Sequence, residues 1–351
     1  MQRLEEHTWQ AFRLGDIADI RSGRDIYAGE RRSGDTPYVT SGTANNGIGY
    51  FVANYNDSIT SNAISVNRNG SIGEAFYHPY PALYGNDCRR VILRDYTDAG
   101  IQLFIAHAIS MQKQAFSYSR KLGSKRLTNL RIMLPVNSSG APDDEYMEKY
   151  AQQKQKAMLL KYGAYAEQQI TKIGSYVKVP KLNEKEWAPF KLTNIFEEIS
   201  RGKRLKKADH VPGQLPYVSS TASNNGIDDY IEASAGTRVF RNCISLANSG
   251  SVGTAFYEPF NYVASDHVTA LKTAQSSKYT SLFMATVIAK QKSNFNFNRE
   301  INDIRVHNMR IMLPVNDSGE PDYEYMEQYT KNMMLRKYEQ YLTFLEGKTR
   351  N

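Results

Sequence analysis

One segment of this chain occurs twice. PYVTSGTANNGI at residues 37–48 returns as PYVSSTASNNGI at 216–227, 179 positions later. Other blocks repeat in the same register. WQAFRL from Trp9 matches WAPFKL from Trp187, and DIRSGRDI at 19–26 matches EISRGKRL at 198–205. NGSIGEAFYHP at 69–79 matches SGSVGTAFYEP at 249–259, and NLRIMLPVNSSGAPDDEYMEKY at 129–150 matches NMRIMLPVNDSGEPDYEYMEQY at 308–329. The offset stays within 178–180, so the chain is a tandem duplication. Two copies of so large a period exclude a solenoid.

Each copy follows one plan. A turn-rich region of mixed character comes first, with short strand candidates at 64–66 (ISV) and 90–95 (RVILRD) bounded by glycine, asparagine and proline. A compact helix is expected at 100–114 and again at 278–292, then a strand-like RIMLPV. A long helix follows the next turn. The first is expected over 143–172, with Pro142 in its first turn, acids Asp143, Asp144 and Glu145 at its positive end, and Gly174 as its stop. The second is expected over 322–346. Met147, Ala151, Met158, Tyr162 and Tyr165 are spaced to form an apolar face on the first, and Tyr325, Met326, Tyr329, Met333, Tyr341, Leu342 and Leu345 on the second. A lone exposed helix of this length is marginal, so the two are expected to pack on each other, antiparallel. The class is α+β: a duplicated mixed α/β domain, each copy followed by a long helix.

At 351 residues the chain can bury two cores, and 41% hydrophobic content rules out a disordered polymer. The net charge of +8 favours a polyanionic partner. The basic residues cluster in predicted loops. RGKRLKK at 201–207 is the densest run, and Arg21, Arg24, Arg31 and Arg32 are its counterparts. SRKLGSKR at 119–126 is a further cluster, matched in the second copy by Lys290, Lys292 and Arg299. Arginine and lysine in loops can reach phosphate, and arginine can read guanine edges. The candidate DNA-binding residues are Arg24, Arg31, Arg68, Lys125 and Arg126 in copy one. In copy two they are Lys203, Arg204, Lys206, Lys207, Arg238, Arg241, Lys292 and Arg299. Asn45, Asn46, Asn224 and Asn225 join them, although Asn-Asn-Gly first of all supplies positive-φ turns; asparagine can also pair bidentately with adenine.

The residues give little support to catalysis. There is no Walker motif, HExxH, GxSxG or PP dipeptide, and the six histidines are scattered. Asp322 and Glu346–Gly347–Lys348 imitate a PD…ExK metal site, but a helix would hold the acids about 36 Å apart. No metal or cofactor site is expected in this chain. Cys88 and Cys243, at non-matching positions, read as free thiols. The first residues lack an apolar signal region, and no 18-residue apolar run exists, so a cytoplasmic protein without a membrane span is expected.

WxxFxL leading to IxxG, then PYVTSGTANNGI, NGSIGEAFYHP, GND at 85–87 and a long helix after RIMLPV, all of it recurring with SD at 265–266, resembles the DNA-specificity subunits of Type I restriction–modification systems and the related separate subunits of type IIB systems. The resemblance covers essentially the whole chain. It implies target-recognition domains at 1–141 and 184–320, a spacer helix and linker at 142–183 and a C-terminal spacer helix at 321–351. It implies that each domain reads half of a bipartite, asymmetric duplex site and that the chain is not itself catalytic. The implied partners are adenine-specific methyltransferase subunits or fused restriction–methylation subunits, joined in many systems by a nuclease/translocase. The partner would use S-adenosylmethionine, with Mg²⁺ and ATP in the full restriction complex. The expected helices are shorter than those of typical Type I subunits, which points to closer half-sites or to a type IIB assembly. Tyrosine, 24 residues in all, keeps open an RNA or single-stranded nucleic-acid binder that stacks bases. A structural adaptor with a basic surface also remains open.

Overall fold

The computed structural model describes residues 4–349 apart from 235, 276 and 297, with the side chains of 5, 348 and 349 outside the description. In chain order the first copy holds β1 (Trp9–Arg13), α1 (Leu14–Ile17), β2 (Ala18–Ser22), β3 (Ser33–Val39), β4 (Ile48–Val52), β5 (Ala63–Asn67), β6 (Ala75–His78), β7 (Leu83–Tyr84), β8 (Cys88–Leu93), α2 (Ala99–Ser110), α3 (Ser124–Thr128), β9 (Arg131–Pro135) and α4 (Asp144–Ile173). The second holds β10 (Trp187–Lys191), α5 (Leu192–Ile195), β11 (Glu198–Arg201), β12 (Pro212–Val218), β13 (Ile227–Ile231), β14 (Val239–Phe240), β15 (Cys243–Ala247), β16 (Ala255–Glu258), β17 (Tyr262–Ala264), β18 (Val268–Lys272), α6 (Lys278–Ala289), α7 (Asp303–Asn308), β19 (Arg310–Pro314) and α8 (Tyr323–Thr349). Contacts divide the chain into two compact units between Lys161 and Tyr162.

Both units share one topology, apart from the added edge strand β14 in the second. In the first, the sheet orders are β2-β8-β5-β6, β4-β3-β7 and the pair β1-β9. In the second they are β11-β18-β15-β16, β13-β12-β17-β14 and β10-β19. The predicted strand 64–66 lies inside β5, and that at 90–95 covers the last four residues of β8 and runs two past its end; both strands are buried almost throughout, β8 with Arg89 and Arg90 among its residues. The tryptophan that opens each copy packs on its compact helix, Trp9 on Phe104 and Trp187 on Phe283, and donates its indole N–H to Leu4 or Leu182. α2 is capped by Asp98 and α6 by Ser277. Each helix lays Ile105 and Ile109, or Met284 and Ile288, into its core.

The long helices begin alike. Asp143 caps the amide of Tyr146 at 3.0 Å and Asp322 that of Tyr325 at 2.9 Å. His7 and Lys185 hold these two aspartates from equivalent positions. Met147 and Met326, both fully buried, plug the cores of their own units. Gly174, at φ +88°, ends the first helix as expected.

The expected apolar face of α4 is not buried as one stripe. Met158 is 73% exposed, and Leu160, Tyr162 and Tyr165 are also exposed. Within the second unit Gly163, Ala166 and Gln169 of α4 are the buried positions instead, and Gly163 faces Leu345 of α8. Tyr162 meets Tyr341 edge-on at 4.5 Å and Tyr165 meets Tyr338 at 6.1 Å, an antiparallel register. On α8, Met333 points outward, and Leu335 and Tyr338 are buried in its stead. Asn332 fixes that rotation: its amide accepts from Val177 N and donates to Val177 O. Among the described residues, no helix is long and apolar enough to cross a membrane.

Candidate nucleic-acid interface

The basic loops leave the sheets at a glycine in both copies. A β-carbon on Gly23 would lie 2.1 Å from Gly85 O, and one on Gly202 2.2 Å from Ser265 O. Only glycine lets the two backbones pass so closely. The next residue is then tied down, Arg24 N donating to Tyr84 O and Lys203 N to Ala264 O. A tyrosine below steadies the loop. Tyr38 Oη accepts from Ile26 N at 3.1 Å, and Tyr217 Oη donates to Leu205 O at 3.3 Å. One tight helical turn follows, at Ala28–Glu30 or Lys207–Asp209, before the chain enters β3 or β12.

On this shared frame the side chains differ. In the second copy the side chains of Lys203, Arg204, Lys206 and Lys207 are all exposed and make no hydrogen bond or ion pair among the described residues. Arg204, Lys206 and Lys207 line a cleft of ≈ 350 Å³ with His210, Asp228, Asp266 and His267. His210 and Asp229 pair at 2.7 Å, and this hydrogen bond holds the Asp229 carboxyl below its usual range. The His210 ring stands edge-on to Tyr217, 4.6 Å away, and its Nε2 is buried without a partner. His267 Nδ1 lies 2.6 Å from Ser249 Oγ.

In the first copy Arg31 occupies the position of His210, and Tyr50 that of Asp229. The Arg31 guanidinium lies 3.9 Å from the Tyr50 ring centre, and its Nε donates to Ile26 O. Arg31 thus holds its own loop closed and is not a free contact. Asp25, in place of Arg204, accepts from the backbone N–H of Asn86 at 2.8 Å. Arg24 lies 3.6 Å from Asp57, but both are well exposed, so solvent weakens the pair.

Other sequence candidates have structural duties. Lys125 and Arg126 are on the helix α3, not in a loop. Arg126 Nη1 donates to Lys121 O, and Arg305 on α7 does the same to Glu300 O, so this arginine closes the preceding loop in each copy. Arg68 pairs with Asp87 at 2.9 Å, half-buried, and Arg238 donates to Arg201 O. Lys125, Arg241, Lys292 and Arg299 are exposed, with no side-chain bond among the described residues. Lys292 is the counterpart of Lys113, which Glu74 neutralises at 2.8 Å; Thr254 stands where Glu74 would be. Asn45, Asn46, Asn224 and Asn225 all take φ near +50°, so their backbone makes the turn while their side chains remain exposed. Asn46 also borders a ≈ 430 Å³ cavity between α2 and β6, with Glu74, Tyr77, His107 and Lys113.

The strand register corrects one alignment. Cys88 pairs with Asn67, and Val268 with Ala247, so the counterpart of Asp87 is His267 and that of Asn86 is Asp266. Asp87 and Asp266 are not equivalent. The register also exposes a polar swap in the core. Ser65 meets His78 Nε2 at 2.9 Å, and Ser245 donates to Glu258 Oε1 at 2.8 Å, at the same place on β5–β6 and β15–β16. Burial lowers His78 to about 4 and raises Glu258 to about 7. The neighbouring β8 carries buried Arg89 and Arg90 where β18 has Thr269 and Ala270; Arg90 ties Ser22 O to Ser58 O. Cys88 and Cys243 are buried free thiols, pushed up to about 12 and about 11.

The false nuclease motif is separated as its spacing required. α8 is unbroken between Asp322, which pairs with Lys185 at 2.7 Å, and Glu346. The Lys348 side chain lies outside the described residues. Charge marks only the lysines and arginines of this loop; His210, Asp228, Asp266 and His267 stand out instead as positions where the two copies differ in polarity.

A duplicated α+β scaffold carrying one polar loop per copy, with divergent side chains, defines a two-part recognition protein. A model described as the Type I restriction modification DNA specificity domain matches residues 6–170 and again 184–341. The specificity subunit S.BcgI of a Type II restriction enzyme from Heyndrickxia coagulans is 30% identical over 330 residues, spanning 93% of this chain and 94% of that one. Among solved structures, the Type-I restriction-modification S subunit from M. genitalium is 14% identical, over 99% of this chain and 95% of that chain, with a TM-score of 0.41. The HsdS subunit from Thermoanaerobacter tengcongensis is 13% identical, over 96% and 90%, with a TM-score of 0.34. The chain belongs to the Type I restriction–modification DNA specificity family.

Proposed function

We propose that the chain reads a bipartite duplex DNA site, one half per domain, and directs partner subunits that methylate and cleave. The observation that carries this is the pair of loops pinned at Gly23 and Gly202, alike in backbone and unlike in side chains. Duplicated scaffolds with divergent loops suit an asymmetric two-part target. Exposed lysines and arginines would position the phosphate backbone, and a minority of polar side chains would read bases. The chain itself would be non-catalytic. The partner would methylate adenine with S-adenosylmethionine after flipping the base from the stack, since its target atom is unreachable in the duplex. Mg²⁺ and ATP would belong to the restriction complex. The name of the Heyndrickxia relative and the short helices, 30 and 27 residues, favour an assembly of the type IIB kind.

The test is selection from randomised duplex DNA with the co-purified complex, competed by single-stranded DNA. Two short blocks around a fixed gap are expected, with duplex strongly preferred. Enrichment of nothing, or equal capture by single strands, would overturn the reading and favour a non-specific or single-strand binder.

A further inference from the structure

We propose that the second domain's cleft is a base-reading centre in which Asp228 and Asp266 select a base pair presenting an exocyclic amino group in the major groove, cytosine N4 or adenine N6. This rests on the DNA-recognition reading above and deepens it.

The argument begins from a conflict of charge. Arg204, Lys206 and Lys207 line the cleft and suit phosphate. A site for phosphate alone would not set two carboxylates among them, because like charges repel the ligand. Asp228 and Asp266 line the same cleft. The Asp228 carboxylate makes no hydrogen bond or ion pair among the described residues. That of Asp266 has only a 4.0 Å approach from His267. Both face solvent and are free to accept from a ligand, and carboxylates accept from base amino groups.

His210 supplies an independent observation. Its side chain is only 8% exposed, its Nδ1 is committed to Asp229, and its Nε2 is buried without a partner. With Nδ1 bonded to a carboxylate, Nε2 accepts when the ring is neutral and donates when it is charged. A buried polar atom left unpaired is costly, so this one fits a hydrogen-bonding group brought by a ligand. Asp228, Asp266 and His210 share one cleft with Arg204, Lys206 and Lys207.

The first copy sets Gly49 and Asn86 at the positions of Asp228 and Asp266, with Asp25 for Arg204. A glycine and an amide cannot present the same pair of carboxylates. The selection inferred here is therefore private to the second half-site.

The experiment repeats the duplex selection with the full complex carrying Asp228→Ala, Asp266→Ala, or Lys206→Ala with Lys207→Ala. Each aspartate variant removes the acceptor and should relax one position of the second half-site roughly tenfold, the size of one lost base contact. The first half-site should be unchanged, which also shows that the variant has folded and assembled. The lysine double variant should weaken binding to every sequence alike and flatten its salt dependence. A full second-half motif from both aspartate variants, or relaxation of the first half, would overturn the proposal. A wild-type complex with no bipartite motif would instead defeat the broader reading, and this inference with it.

Discussion

The loop leaving Gly23 and the loop leaving Gly202 start, turn and end alike, yet one is knotted to itself and the other is open. Arg31 lies on Tyr50, and Asp25 holds the turn at Asn86. In the second copy the same positions give a His210–Asp229 pair, an unengaged Arg204 and a cleft lined by acids and bases together. The frame depends on backbone contacts that few substitutions disturb. The contents depend on side chains that can be exchanged without moving the frame. A duplicated domain can thus hold its architecture while each copy acquires its own chemistry.

The largest expected effect tests the shared frame. Gly23→Ala and Gly202→Ala should each destabilise its own domain by on the order of 4 kcal/mol, since the added methyl meets a carbonyl that cannot retreat. Domain-resolved hydrogen exchange would measure it. Very unequal losses would show that the two corners are not the same device. Next comes the buried swap of His78 for Glu258. His78 is held near 4 against the usual 6.5, so between those values the unfolded chain binds more protons and the first domain weakens as pH falls. Glu258 is held near 7 against 4.5, so there the folded chain binds more protons and the second domain weakens as pH rises from 4.5 towards 7. Each effect is about 3 kcal/mol at most. Exchange corrected for intrinsic rates should show slopes of opposite sign, and Glu258→Gln should abolish the second; parallel slopes would contradict the paired assignment. The smallest effect probes the knot. Arg31→Ala should lose about 1 kcal/mol of local stability, seen as faster exchange of amides 24–32, with the first half-site motif intact. A changed motif with an unloosened loop would return Arg31 to the role of a reader.

Much of this was legible in the residues. The repeats placed the two domains' strands and helices because turn residues and apolar runs are local signals. IxxG was visible as a motif, but its reason was not, since the clash with Gly85 or Ser265 joins segments about 62 residues apart. Helical periodicity named Met147 and Met326 correctly. It failed at Met333, because Asn332 turns that face inward to bind Val177. Charge marks the RGKRLKK loop of the second copy, but does not distinguish its exposed side chains from those of Arg31, Arg68 and Arg126, which bond within the chain. Cys88 in place of Val268 concealed a one-residue slip that paired Asp87 with the wrong partner.

The helix α4 is shared between the two units. Its last turns, from Tyr162 to Ile173, belong to the second unit and touch α8 through Tyr162–Tyr341 and Tyr165–Tyr338. A genetic crossover between codons 148 and 161 would therefore deliver a whole first domain, complete with the Met147 plug, and leave the recipient's two-helix stem unbroken. Most of that stretch is exposed, so a foreign sequence could be joined there with little repacking. On the proposed two-part reading, recombination in a single event would replace half of the target while the other half is inherited unchanged.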